Sequence, residues 1–263
     1  MRRISFTKVN LILSVSIISY LVFSPLVFAG IENRPLNSDE ATILDKGVFV
    51  IATGETFLKQ PNRDKEWDWV TDLEYGVFNN LEFDLEIPRG AINYKDNTDQ
   101  KDVNGLGDIT TWLEYTFFKE KEIIPAMSFA FSIKTQSGSK RKGLGSGENN
   151  YQFTWLVSKN VGSFCAIVNS GYTIVGEPPD TDYRDTFSCN AALEYMLNKK
   201  IMLVSEIYGQ TNQDKSADKD PLDILGGFVY TLNDHIAIDF GIGAGLANAS
   251  PDLRVTNGMT YAF

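Results

Sequence analysis

The chain has 263 residues, with 24 basic and 34 acidic side chains and a formal net charge of −10. That length supports one sizeable domain. Its acidity argues against a nucleic-acid partner, which would need a basic face. With one histidine and two cysteines, no zinc or haem site, no other metal and no cofactor is expected.

The chain opens with Met1-Arg2-Arg3 and Lys8, then an apolar run from Val9 to Phe23 and the small-residue end Val27-Phe28-Ala29 before Gly30. Basic start, short apolar middle and small-residue end are the parts of a secretory signal, expected over residues 1–29. The polar tail of a twin-arginine signal is missing, and no cysteine near residue 30 suggests a lipid anchor. Losing Arg2, Arg3 and Lys8 makes the remaining chain more acidic still. Residues 30–46 are expected to be a periplasmic or plugging segment ahead of a main domain over 47–263.

From residue 48 onward the sequence alternates with a period of two. Leu81-Glu82-Phe83-Asp84-Leu85-Glu86-Ile87 does so without a break, giving a strand one apolar and one acidic face. The same pattern recurs at Met127, Phe129, Phe131, Ile133 and at Ile236, Ile238, Phe240, Ile242. In chain order it predicts strands over 48–56, 67–78, 81–92, 108–118, 124–136 and 150–158. Six more follow over 163–175, 186–197, 200–211, 222–232, 235–246 and 252–263. Most have the nine to eleven residues or more that a tilted strand needs to cross a bilayer.

The connections sort by parity. Asn79-Asn80, Lys119 to Ile123, Lys159-Asn160, Asn198-Lys199 and Asn233-Asp234 are short. Alternating with them are the longer polar stretches 57–66, 93–107, 137–149, 176–185 and 212–221. Short turns on one rim and long loops on the other build an outer-membrane barrel, here of twelve antiparallel strands. The ending Met259-Thr260-Tyr261-Ala262-Phe263 fits the pattern of an assembly signal, with Tyr261 and Phe263 on the apolar face of the last strand. The barrel-assembly machinery is therefore an expected partner, with outer-membrane lipids and lipopolysaccharide around the wall.

If the apolar face meets lipid, the other lines the lumen. The expected lining comprises Asp68, Asp72, Glu74, Glu82, Asp84, Glu86, Asp108, Glu114, Glu194, Glu206, Asp223 and Asp239, opposed within the strands by Lys134 and Arg254. Stacked carboxylates repel and are costly to bury unpaired. Either the lumen is wet and cation-favouring, or loop and N-terminal cations close it; Arg34, Arg63, Arg89, Arg141 and Arg184 are the candidates.

Cys165 and Cys189 fall on consecutive predicted strands. A symmetric hairpin would set Cys189 opposite Tyr172, about seven residues from Cys165, which at about 3.3 Å per residue is beyond disulfide reach. Both are expected to be free.

Arg34-Pro35-Leu36-Asn37-Ser38-Asp39-Glu40-Ala41, then Lys46-Gly47 and the first strand, resembles the start of a known group, the family of transporter-like barrels named for the MetA pathway of phenol degradation. Asn104 to Asp108, Gly143 to Gly147, Leu197 to Glu206 and Gly258 to Phe263 are similar to it as well. Thr135-Gln136-Ser137-Gly138 departs from the Pro-x-Gly often found there. The resemblance implies an outer-membrane channel or transporter for small, hydrophobic or aromatic solutes; a structural or surface-interaction barrel that conducts nothing is the alternative.

Catalysis is not expected. His235 lies beside the Asn233-Asp234 turn with no serine standing out as its partner. Asp214, Asp218 and Asp220, and Asp180, Asp182 and Asp185, lack the central glycine and terminal glutamate of a calcium loop. The glycine-rich stretch 138–147 has no Gly-Lys-Ser/Thr unit for phosphate, and its Lys140, Arg141 and Lys142 are read as facing lipopolysaccharide phosphates.

Overall fold

A computed structural model of the chain describes residues 34–61, 65–95, 100–179 and 181–263, with the backbone alone over 91–95 and 100–102. The expected signal 1–29, Arg63 and Asp180 lie outside the described residues.

The strands are β1 (Phe49–Lys59), β2 (Lys65–Phe78), β3 (Leu81–Lys95), β4 (Gln100–Leu106), β5 (Thr110–Phe118), β6 (Ala126–Lys134), β7 (Asn150–Val161), β8 (Phe164–Ile174), β9 (Thr186–Met196), β10 (Ile201–Gln210), β11 (Leu222–Asn233), β12 (Ile236–Gly245) and β13 (Leu253–Ala262). Each pairs antiparallel with its neighbours, and β1 pairs with both β2 and β13, which closes the sheet on itself. β3 pairs with β5 through residues 81–86 and with β4 through 89–95. β4 and β5 are therefore one stave, and the closed barrel has twelve. The stave breaks opposite Pro88, which has no N–H for the ladder; Gly107 N–H bridges the gap to the Pro88 carbonyl at 2.8 Å.

Burial is inverted relative to a soluble protein. Glu194 and Glu206 are 3% and 2% exposed, whereas Trp155 and Ile242 are 55% and 53% exposed. Alternation explains this: even-numbered residues of β1 to β3 face the interior up to the bulge after Gly76 in β2, and the odd-numbered Phe49, Ile51, Leu73, Tyr75, Phe83 and Leu85 face outward. An apolar exterior around a polar interior is what a bilayer-spanning barrel requires. Phe49, Tyr261 and Phe263 pack ring against ring, tilted and edge-to-face, at the seam where β1 meets β13.

Three expected connections shift. The stretches 57–66 and 93–107 are not open loops, because β1 and β2 pair out to Lys59 and Lys65, and β3 and β4 out to Lys95 and Gln100. Backbone pairing does not require an apolar face, so these hairpins continue past the apolar band. The turn expected at Lys159-Asn160 lies at Gly162-Ser163, where Gly162 takes a left-handed φ of 63°. Lys159 and Asn160 instead stay in β7 and donate to Glu120 of the adjacent turn.

Candidate functional site

Residues 34–46 lie inside the barrel and follow its wall almost full circle. Gly47 N–H bonds the Gly76 carbonyl of β2 at 2.8 Å, and Leu44 N–H donates to the Glu82 carboxylate of β3. The Ala41 carbonyl accepts from Ser128 Oγ of β6 at 2.7 Å and Thr116 Oγ1 of β5 at 3.3 Å, while Ala41 N–H donates to Ser158 Oγ of β7 at 3.1 Å. Asp39 and Asn169 of β8 exchange two bonds, of 2.8 and 2.9 Å.

Farther round, Asn37 donates to Glu206 of β10 from its backbone at 3.0 Å and from Nδ2 at 2.7 Å, and its carbonyl accepts from Asn190 of β9 at 3.2 Å. The Ser38 hydroxyl also donates to Glu206. Arg34 ends the circuit beside Asp239 of β12 at 3.5 Å, donating to Thr256 Oγ1 and the Asn257 carbonyl of β13 at 3.3 Å each.

The wall is shaped for this segment. Small interior residues Ala126, Ser128, Ala130 and Ser158 give it room at β6 and β7. At the far side Gly54 opposes Gly258, and Gly227 opposes Gly241. A Cβ on Gly54 or Gly258 would run into Arg34, and one on Gly241 would meet Pro35 Cβ at 2.9 Å. Leu36 packs between two apolar clusters of the wall, one with Ile167 and Ala192, the other with Val204, Val229 and Ala237.

Above this inner ring lies a cavity of about 250 Å³, with Asn37 at its floor. Its walls mix charge (Asp68, Glu206, Asp223, Arg254) with apolar surface (Leu58, Val70, Leu225) and the Tyr208 ring. Asp223 Oδ1 and Arg254 Nε are buried without a protein partner. Groups in that condition are satisfied by water, ions or a polar solute.

All the expected lining residues within strands lie on the interior face, but in separate groups. Glu74, Glu82, Glu114, Glu194, Glu206 and Asp239 are buried; Asp68, Asp72, Asp84, Glu86, Lys134, Asp223 and Arg254 are half-buried. Glu82 directly opposes Glu114, with Asp84 one step along. Asp108 is held by a loop: Gly138 N–H at 2.9 Å, Ser146 N–H at 2.7 Å and Ser146 Oγ at 2.8 Å all donate to it. That loop brings Leu144 over Gly90, Gly105 and Gly107.

Of the loop cations, Arg34 reaches an interior carboxylate. Arg89 faces outward, Arg141 belongs to an exposed 3-10 turn over Lys140–Lys142, and Arg184 donates to the Asn212 carbonyl. The loop aspartates make local bonds: Asp214 accepts from Ser216, which lowers its carboxyl, and Asp182 pairs with Lys215, raising the ammonium. Cys165 is buried facing inward, Cys189 is exposed, and both are free. His235 Nδ1 lies 2.8 Å from the Ala262 carbonyl at the short-turn rim.

The family described as "Putative MetA-pathway of phenol degradation" matches residues 33–263. The chain belongs to this family. Among solved structures it is similar to the COG4313 outer membrane channel from Pseudomonas putida F1, with 12% identity, a TM-score of 0.70, and coverage of 87% of this chain and 100% of that one. The KdgM porin gives 11% identity, a TM-score of 0.56, and coverage of 81% and 99%. The translocator domain of the autotransporter NalP from Neisseria meningitidis gives 12%, 0.53, and 83% and 89%. Comparison with curated proteins gives no match. At such identities the likeness is one of fold: a Gram-negative outer-membrane β-barrel, the architecture of channels and porins.

Proposed function

We propose that this barrel is a narrow, cation-favouring channel for small solutes, with residues 34–46 as its constriction. The observation that carries the reading is the cavity above the inner ring, whose floor residue Asn37 is bonded to Glu206. A solute crossing the barrel meets Asp68, Asp223 and Glu206 there and must pass the ring.

The lining suits small amphipathic rings. A cavity of roughly 150 Å³ holds benzene, so about 250 Å³ accommodates a substituted monocyclic aromatic, with apolar contact from Leu58 and Val70 and polar contact from Asp223 and Arg254. The family's description names phenol degradation, and phenolic solutes fit that chemistry. Around the wall the partners are outer-membrane lipid and, at exposed Lys140, Arg141 and Lys142, lipopolysaccharide phosphate. We infer no enzyme: the chain's single histidine, His235, sits on the short-turn rim with its ring stacked on Tyr261.

The test is the zero-current potential of the protein beginning at Gly30 in a planar bilayer under a salt gradient. Cation preference, weakened by Asp68→Asn with Asp223→Asn, and current block by phenol at millimolar concentration are the expected results. Anion preference, or selectivity unchanged in the double variant, overturns the acidic-lumen reading; a barrel that never conducts favours a structural role.

A further inference from the structure

Cys165, Glu194 and Glu40 converge from three parts of the chain. Cys165 on β8 directly opposes Glu194 on β9, both on the inner face. Glu40 arrives from the inner ring, and one ligand atom from each of the three lies within 4.8 Å of the other two. Around them are the apolar Ile167, Ala192 and Leu36.

Nothing in the strand pattern requires two carboxylates and a thiol to meet in such surroundings. Like charges at this range repel, and a buried oxygen without a partner is destabilising. Glu194 is 3% exposed, and its Oε1 has no hydrogen-bond partner. The group therefore holds a buried, unsatisfied acceptor on a carboxylate that lies beside two further potential ligands.

A divalent cation resolves this. One soft sulfur donor beside two carboxylate oxygens suits a borderline ion such as zinc; calcium and magnesium favour all-oxygen shells. Zn–S of about 2.3 Å and Zn–O of about 2.0–2.2 Å put tetrahedral donors roughly 3.5 Å apart, so side-chain rotation of about an ångström closes the group. The thiol proton passes to solvent on binding, and the fourth tetrahedral position is left to water.

We propose that Glu40, Cys165 and Glu194 form a zinc site that ties the N-terminal segment to the barrel wall. The site stands whether or not the barrel conducts, because it rests on these three side chains alone. Its consequence is mechanical: two ligands belong to the wall and one to the inner ring, so a bound ion holds the ring in place.

Cobalt(II) serves as the spectroscopic probe, titrated into the folded, detergent-solubilised protein beginning at Gly30. Cys189→Ser is used as the background so that the second thiol does not contribute. The expected result is a sulfur-to-cobalt charge-transfer band that saturates at one ion per barrel and is bleached by zinc. Cys165→Ser, or Cys165→Ala if the first variant does not fold, abolishes the band. Glu40→Gln and Glu194→Gln each weaken binding by about tenfold or more, while heat-modifiable electrophoretic migration shows each barrel intact. No band in a folded barrel, a band that survives loss of Cys165, or affinity unchanged in Glu40→Gln overturns the proposal.

Discussion

Asn37 and Glu206 join the inner ring to the wall through two donors on one carboxylate, Asn37 N–H at 3.0 Å and Nδ2 at 2.7 Å. The Ser38 hydroxyl adds a third. Hydrogen bonds to a charged group contribute about 1.5–3 kcal/mol each. Glu206→Ala strands all three donors, so the ring should leave the wall far more often, read as a several-fold rise in open probability with assembly unchanged. Glu206→Gln, which keeps one acceptor, should fall between.

Glycine placement gives a second test. A Cβ on Gly241 meets Pro35 at 2.9 and 3.0 Å, so Gly241→Val forces the ring off the wall or strains β12. Overpacking of this kind costs about 1–3 kcal/mol, read as a lower unfolding midpoint. On Gly226 a Cβ meets only the Val204 carbonyl, at 3.8 Å, and Gly226→Ala should leave the midpoint where it was.

Much of the fold was legible because a bilayer imposes the simplest pattern a strand can carry. Glu82, Asp84 and Glu86 alternate with Leu81, Phe83, Leu85 and Ile87, and each set faces the expected side. Strand ends were less legible: the ladder at Asn93 to Lys95 continues where apolar and polar residues no longer alternate over any length, and Gly162, not the polar pair Lys159-Asn160, supplies the turn. The course of residues 34–46 was hidden because its partners are scattered. Ser128, Ser158, Asn169 and Asn190 read as ordinary interior polar residues, and Gly54, Gly227, Gly241 and Gly258 as strand glycines. The opposed glycines on interior parity were the signal available, since two small residues facing each other inside a barrel mark where something else lies. Glu40, Cys165 and Glu194 are too far apart in sequence for any metal-ligand spacing to have shown them.

The buried thiol reports on the ring. Cys165 lies under Leu36 and Glu40, so in a Cys189→Ser barrel, where it is the single thiol, a water-soluble maleimide should label it slowly. Removing residues 34–43 should raise that rate by about tenfold or more, on the scale of a local opening equilibrium. Equal rates in the two proteins would place the ring away from Cys165.

At the short-turn rim, Glu120 accepts from Asn160 N–H at 3.1 Å and Asn160 Nδ2 at 2.8 Å, and pairs with Lys159. Burial pushes its carboxyl up, but Lys159 and Asn160 outweigh that and hold it below the usual range. A depressed folded-state value means the stabilisation is complete above the unfolded value and is lost as pH falls through the folded one. The pair is partly solvated, so the effect should be under about 1 kcal/mol. Unfolding midpoints of wild type and Glu120→Gln should differ at neutral pH and converge as pH falls well below the ordinary carboxylate range; a constant difference would mean the contact is not ionic.

Residues 34–46 are proposed here as the constriction of the barrel. Single-channel conductance of the protein beginning at Gly30, compared with the same barrel lacking residues 34–43, tests it most directly. A constriction at this segment gives small, cation-favouring openings in the first and a several-fold larger conductance in the second, with both migrating as folded barrels. Equal conductance in the two would contradict it.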